Sequence, residues 1–243
     1  MNTVPGDEEL PLVEHIKELR SRMIITAVPI VIITVVAFMF SGELLQLIWK
    51  QALRLIPEEV VTVPMVMYSP MEVLMTKLTF SLACALFFGI PLIMYEAFMF
   101  IGKGLYENEK RFFIKIVPLS FILFSAGAAL AYFVVVPLTF KYTVFYSIDV
   151  AAPQISVIKA IYTMITLVVG FGLIFQFPLL LIFALKMDLL KLEPLKRKRK
   201  IIYGALLAVS LFISPDPTIF SELIVAAVLV ILFEFSLMVA RFF

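Results

Sequence analysis

The sequence predicts an all-α integral membrane protein with six transmembrane helices that form a concave wall. Three observations lead to this class. Of the 243 residues, 63% are hydrophobic and 16% are charged, against about 45–50% and about 25% in a soluble domain. The mean hydropathy of the whole chain is +1.08. Several nearly uncharged runs are also long enough to cross a bilayer. No segment is polar enough to fold separately, so we expect residues 1–243 to form a single membrane domain.

The uncharged runs give the positions of the spans, because a membrane-crossing helix needs about 20 apolar residues. Four runs reach this length, and two near the C-terminus are shorter. The predicted spans are residues 23–42, 78–101, 113–137, 160–185, 201–213 and 219–239. Prolines at positions 29, 91, 118 and 178 are expected to bend the first four spans, because proline removes a helical hydrogen bond. Bent helices joined by short hairpins predict the concave wall.

Residues 43–56 alternate polar and apolar side chains with a helical period, and Trp49 lies among them. We expect an interfacial cap helix on the outer surface, with Trp49 at the level of the lipid headgroups. The alternative is a simple extension of the first span.

Basic residues are concentrated on one side of the predicted spans. Fifteen of the 20 Lys and Arg flank the ends of the chain and the loops that follow spans two and four. Because short cytoplasmic loops collect Lys and Arg, both termini are expected in the cytoplasm.

The sequence lacks the residues that several classes of enzyme require. There is no P-loop, and His15 is the only histidine, so neither nucleotide hydrolysis nor a histidine-based zinc site is indicated. Cys84 lies alone in an apolar run, which indicates a packing role. A net charge of +2 is too small to indicate nucleic-acid binding. We therefore expect no enzyme activity, no metal and no cofactor, and the remaining functions are recognition and transport.

Glu96 and Gln176 are the clearest polar residues within the predicted spans. Polar groups at membrane depth are costly and are functional candidates by default. The alternative is that each side chain bonds a neighbouring hydroxyl or carbonyl group and only fixes helix packing. Their predicted depths, about 9 Å and about 14 Å from the cytoplasmic side, are similar.

Three segments of the chain carry a resemblance to a known family. They are EHIKELRSR at residues 14–22, PLIMYEAFMFIGKGLYENEKR at 91–111 and GFGLIFQFP at 170–178, with weaker matches at 131–133 and 214–216. These segments resemble the TatC family, the multi-span core subunit of the twin-arginine, or Sec-independent, protein translocase. They occur in the family's order and cover essentially the whole chain.

The resemblance implies a receptor for signal peptides that bear two adjacent arginines. Glu18 and Glu109 match the family's receptor carboxylates, Arg20 would hold them in place, and Phe100 would lie near the entrance for the apolar part of the signal. Further residues that match the family are Tyr132, Pro215 and Asp216. The implied partners are folded cargo proteins, TatA-like and TatB-like single-span proteins, further copies of the chain and the lipid bilayer of the cell membrane. The energy source would be the protonmotive force.

The chain departs from the family pattern at two membrane positions. The family commonly has Gln on span two and Glu on span four, whereas this chain has Glu96 and Gln176. If both side chains face one cavity, the exchange keeps one acid and one amide together. On this hypothesis Glu96→Gln impairs transport far more than Gln176→Ala, and transport that is indifferent to both changes would refute it.

Two other functions stay open at this point. A proton-coupled small-solute transporter that uses Glu96 predicts uptake by this protein alone. A structural scaffold predicts neither uptake nor binding of a signal peptide.

Overall fold

The computed structural model describes residues 12–57, 64–101, 107–148, 154–186, 190–213 and 219–239, and these are largely helical. The helices are α1 Leu12–Leu53, α2 Pro70–Ile101, α3 Glu107–Leu130, α4 Val136–Ile148, α5 Val157–Ile174, α6 Phe177–Lys186, α7 Leu192–Arg197, α8 Arg199–Ile213 and α9 Ile219–Val239. Two short strands, β1 Met65–Val66 and β2 Ile155–Ser156, pair in parallel between the loops that precede α2 and α5. The predicted all-α membrane class is confirmed, with this small sheet as an addition.

Five helical stretches in the described residues are long and apolar enough to cross a membrane. They are Ile16–Leu53, Pro70–Ala97, Val117–Ile148, Val157–Leu185 and Glu222–Val239. The predicted short fifth span falls in α8, whose 15 residues reach only about 22 Å at 1.5 Å per residue. That length is below the thickness of a hydrocarbon core of about 30 Å.

The segment expected to form a separate cap helix continues α1 without a break as far as Leu53. Leu45, Trp49 and Ala52 follow one face of this extension at helical spacing and are buried. The Trp49 ring packs edge-on against Phe140 of α4, with 6.2 Å between ring centroids. Trp49 is therefore packed against the protein interior, and the residues expected to form a separate cap helix are the C-terminal end of α1.

The third helical stretch is longer than predicted. After α3, a π-helical segment at Ala131–Val135 leads directly into α4, which ends at Ile148. Lys141, whose charge ends the uncharged run of the sequence at residue 140, is in the structure an exposed residue on a continuing helix beyond the predicted end at 137. Pro137 supplies no backbone N–H to the helical ladder just after the π segment.

Proline has different consequences in different helices. The chain leaves the helix after Ile174 and resumes it at Phe177, directly before Pro178, so the helix is interrupted where a bend was predicted. Pro29, Pro91 and Pro118 instead lie inside uninterrupted helices.

The helix α5 is the most buried of the long spans, and α3 crosses it at close range. A Cβ added at Gly127 would lie 2.5 Å from the Phe171 carbonyl oxygen, and one added at Gly172 would collide with the Phe124 ring. By contrast, α1 exposes large apolar side chains along most of its length, such as Val31, Val35 and Met39. The rest of the described chain leaves this face of α1 uncovered.

Candidate functional site

One arginine joins two carboxylates where the start of α1 meets the end of α2. The Arg22 Nε and Nη2 groups donate to Glu18 Oε1 at 2.9 Å and 2.7 Å, and Nη1 donates to Glu96 Oε2 at 2.7 Å. We call these three residues the Arg22 cluster. The side chains of Glu18, Arg22 and Glu96 are 13%, 17% and 12% exposed. The cluster is therefore a largely buried set of charge-assisted hydrogen bonds.

Both the helix and the packing of helices create this cluster. Glu18 and Arg22 are four residues apart on α1, which places their side chains on the same face. Glu96 comes from a helix 74 residues further along the chain, through the antiparallel packing of α1 and α2. Glu96 lies within the second membrane-crossing stretch, as predicted, but its partner was not predicted from the sequence.

The other residues expected to recognise a signal peptide surround this end of the bundle. Arg20 is exposed on α1, and Phe100 is half-buried one residue before α2 ends. Glu109 lies in the first turn of α3, which begins six residues after α2 ends. The side chain of Glu109 lies outside the described part of the structure. By chain connectivity, the helix end that carries Glu109 is the same end of the bundle that carries Glu18.

Gln176 has different neighbours from Glu96. It is 8% exposed and lies in the turn between α5 and α6. The Ser120 hydroxyl of α3 donates to Gln176 Oε1 at 2.5 Å, and Gln176 Nε2 donates back to the Ser120 carbonyl at 3.0 Å. Glu96 and Gln176 therefore bond to different helices, and the structure does not bring the acid and the amide together through a shared contact. The observed contacts of Gln176 are those expected of a residue that fixes helix packing.

A second buried carboxylate lies at the opposite end of α2. Glu72 accepts hydrogen bonds from the backbone N–H of Tyr68 at 2.7 Å, from the Ser156 hydroxyl, and from the backbone N–H of Ile158 at 3.4 Å. It thereby ties the loop that carries β1 to the start of α5 beside β2. The sequence analysis missed this residue, although a glutamate in the first turn of a helix is a recognisable signal.

An apolar cavity of about 480 Å³ opens among α1, α2, α3 and α5. Tyr132, one of the residues that match the family, lines it together with Leu47, Phe80, Phe87 and Met164. Cys84 also faces this cavity, where it acts as a small apolar side chain. The lining of this cavity suits an apolar ligand.

Two of the predicted residues, and the question of a metal site, remain to be described. Pro215 and Asp216 lie outside the described residues. Within the described ranges, no three His, Cys, Asp or Glu side chains are placed to hold a metal ion.

Comparison with known proteins gives one consistent family. Residues 14–227 match the family model described as Sec-independent protein translocase protein (TatC). A Methanocella arvoryzae protein named Sec-independent protein translocase protein TatC is 43% identical, covering 98% of this chain and 96% of its own. The Aquifex aeolicus protein of that name is 32% identical over 96% of this chain and 95% of its own.

A solved structure described as the twin arginine translocase receptor TatC superposes with a TM-score of 0.78 at 31% identity. The match covers 94% of this chain and 98% of the other. These comparisons all point to a protein translocase and give no support to the alternative of a small-solute transporter.

Proposed function

The chain belongs to the TatC family, and from this premise we propose that it is the receptor and core component of a twin-arginine protein translocase. It binds the paired-arginine signal peptides of folded cargo proteins, which are exported at the expense of the protonmotive force. The observation that carries this proposal is the match over nearly the full length of the twin-arginine translocase receptor structure.

The chemistry of recognition belongs to Glu18 and Glu109. A guanidinium presents a planar fork of N–H donors that fits a carboxylate, and a lysine ammonium cannot reproduce that geometry. Two carboxylates at one end of the bundle suit two adjacent arginines. Arg20 is exposed two residues further along α1, on a different face of the helix from Glu18, and the cation that balances Glu18 is Arg22.

The apolar part of the signal peptide then enters the concave side of the bundle past Phe100. The cavity beside Tyr132 offers an apolar lining for it. Burial of apolar surface there adds affinity that does not depend on the arginine pair.

The receptor works in the cell membrane with both termini in the cytoplasm, alongside TatA-like and TatB-like single-span partners and further copies of itself. The short helix α8 supports a role in the bilayer, because a helix of about 22 Å thins the membrane around it. Glu234 of α9 is already engaged within the chain, since Tyr203 donates to it and Arg199 lies 3.4 Å away. Glu222 is therefore the better candidate for a polar contact with a partner helix.

Signal-peptide binding to the purified full-length protein tests this function. We expect a paired-arginine peptide to bind more tightly than its paired-lysine counterpart. Glu18→Gln and Glu109→Gln each remove a charged acceptor, so each should cost about 1.5–3 kcal/mol, or roughly ten- to a hundredfold in affinity.

Glu43→Gln serves as the matched control, because Glu43 is an exposed glutamate towards the other end of α1. It should leave the affinity unchanged. Equal affinity for both peptides, together with unchanged affinity in the Glu18 and Glu109 variants, would overturn the proposed function.

A further inference from the structure

Glu18 does not hold its position alone, because Arg22 connects it to Glu96 on a second helix. We propose that Arg22 and Glu96 form a positioning relay that fixes the Glu18 carboxylate for the incoming signal peptide. Arg22 orients Glu18 directly, and Glu96 acts only through Arg22. This inference rests on the proposed function and adds two residues that determine its specificity.

The geometry of the hydrogen bonds supports the first step of the relay. Two N–H groups of Arg22 converge on a single oxygen, Oε1 of Glu18, from one side of the same helix. Two donors on one oxygen restrict the side-chain rotamer of Glu18 and hold Oε1 in place. A carboxylate that is already oriented loses less conformational freedom when it binds a peptide.

Burial and charge support the second step. Glu18 and Glu96 are both nearly nine-tenths covered, and two carboxylates this close would repel each other without the cation between them. If Arg22 were bonded only to Glu18 on its own helix, its long side chain would keep more rotamer freedom. The bond from Nη1 to Glu96 at 2.7 Å anchors its far end to α2. The guanidinium presents three N–H donors in fixed directions to the two carboxylates.

The relay also gives a specific role to a residue at which this chain departs from the family pattern. Glu96 stands where the family commonly has Gln, and it pairs with Arg22 instead of sharing a contact with Gln176. Its charge therefore acts at the receptor end of α2.

A double-mutant cycle on the full-length protein tests the relay, with binding of paired-arginine and paired-lysine peptides as the readout. With Arg22 present, Glu96→Gln should weaken binding of the paired-arginine peptide by about three- to tenfold, in the usual range for residues in contact. In an Arg22→Gln background the same change should alter binding by less than about twofold. The preference for arginine over lysine should fall in each variant, an effect that a merely structural role would not produce.

Two further variants keep the test decisive. Arg22→Lys retains the charge but lacks the planar fork, so Glu96→Gln should cost less in this background than in the wild type. Arg22→Lys replaces Arg22→Gln in the cycle if that variant fails to fold. Arg54→Gln is the matched control, because Arg54 follows the opposite end of α1 and donates to the Phe133 carbonyl. It should leave both affinities unchanged.

Additive losses would overturn the relay, because they would show that Glu96 acts independently of Arg22. A Glu96→Gln variant that binds like the wild type would also overturn it. In both cases a wild-type protein that still prefers paired arginines leaves the proposed receptor function intact. A wild-type protein that does not discriminate between the peptides overturns the receptor function and the relay together.

Discussion

At the scale of single residues, the contacts of Gln176 show how far sequence reasoning extends. Its position within a span marked it as either functional or a packing residue, and the reciprocal bonds with Ser120 are those of a packing residue. The partner of Glu96 was harder to predict from the sequence. Glu18 and Arg22 are visibly four residues apart, but which residue of α2 meets Arg22 depends on the register of two packed helices. Hydropathy does not encode that register.

Replacing Gln176 with leucine should destabilise the protein. The change removes the bond between the buried Ser120 hydroxyl and Gln176 Oε1 and the additional bond from Gln176 Nε2 to the Ser120 carbonyl, which costs about 1–3 kcal/mol. Ser120→Ala should cost less, because the bond from Gln176 Nε2 to the backbone survives. Gln51→Leu is the control, since the buried Nε2 of Gln51 has no hydrogen-bond partner in the described structure. Thermal unfolding in detergent measures all three variants, and equal losses for Gln176 and Gln51 would contradict this interpretation.

At the scale of helices, the sequence predicted where helices lie better than where they end. Uncharged runs located every long helix, because burial in lipid excludes charge. The ends were missed where a helix continues beyond the apolar run. Residues 43–53 carry charges on the exposed side of α1, while Leu45, Trp49 and Ala52 face the interior. The pairing of β1 with β2 joins segments that are 90 residues apart, from Met65 to Ile155, and no local pattern marks it.

The close crossing of α3 and α5 depends on glycine. Gly127→Ala should lower the stability by about 1–3 kcal/mol, because the new methyl group meets backbone that cannot move aside easily. Gly204→Ala in α8 is the matched change, since nothing lies within 4 Å of the added Cβ. It should leave stability unchanged or raise it slightly through helix propensity. Unfolding temperatures compare the two variants, and a harmless Gly127→Ala would show that the helices are not tightly packed there.

At the scale of the whole molecule, charge asymmetry predicts which end faces the cytoplasm. The Arg22 cluster lies at the N-terminal end of α1, on the side predicted to carry most of the basic residues, and Glu72 lies at the opposite end of α2. A receptor for cytoplasmic cargo requires the Arg22 cluster to face inwards.

Cysteine labelling measures this orientation. In a Cys84→Ala background, a single cysteine at the exposed position Lys50 should react with a membrane-impermeant maleimide in intact cells. A cysteine at the exposed position Lys191 should react only after the membrane is permeabilised. The reverse pattern would place the Arg22 cluster on the outer side of the membrane, where cytoplasmic cargo cannot reach it.

The central claim is that carboxylates at one end of the bundle select paired arginines. Photo-cross-linking tests it most directly, with a reactive group placed next to the arginine pair of a signal peptide and the cross-linked residues mapped by mass spectrometry. We predict cross-links to residues 16–22 of α1 and to the start of α3 around Glu109, with a lower yield for the paired-lysine peptide. Cross-links confined to the opposite end, at residues 43–53 and 141–148, or equal yields for both peptides, would contradict the claim.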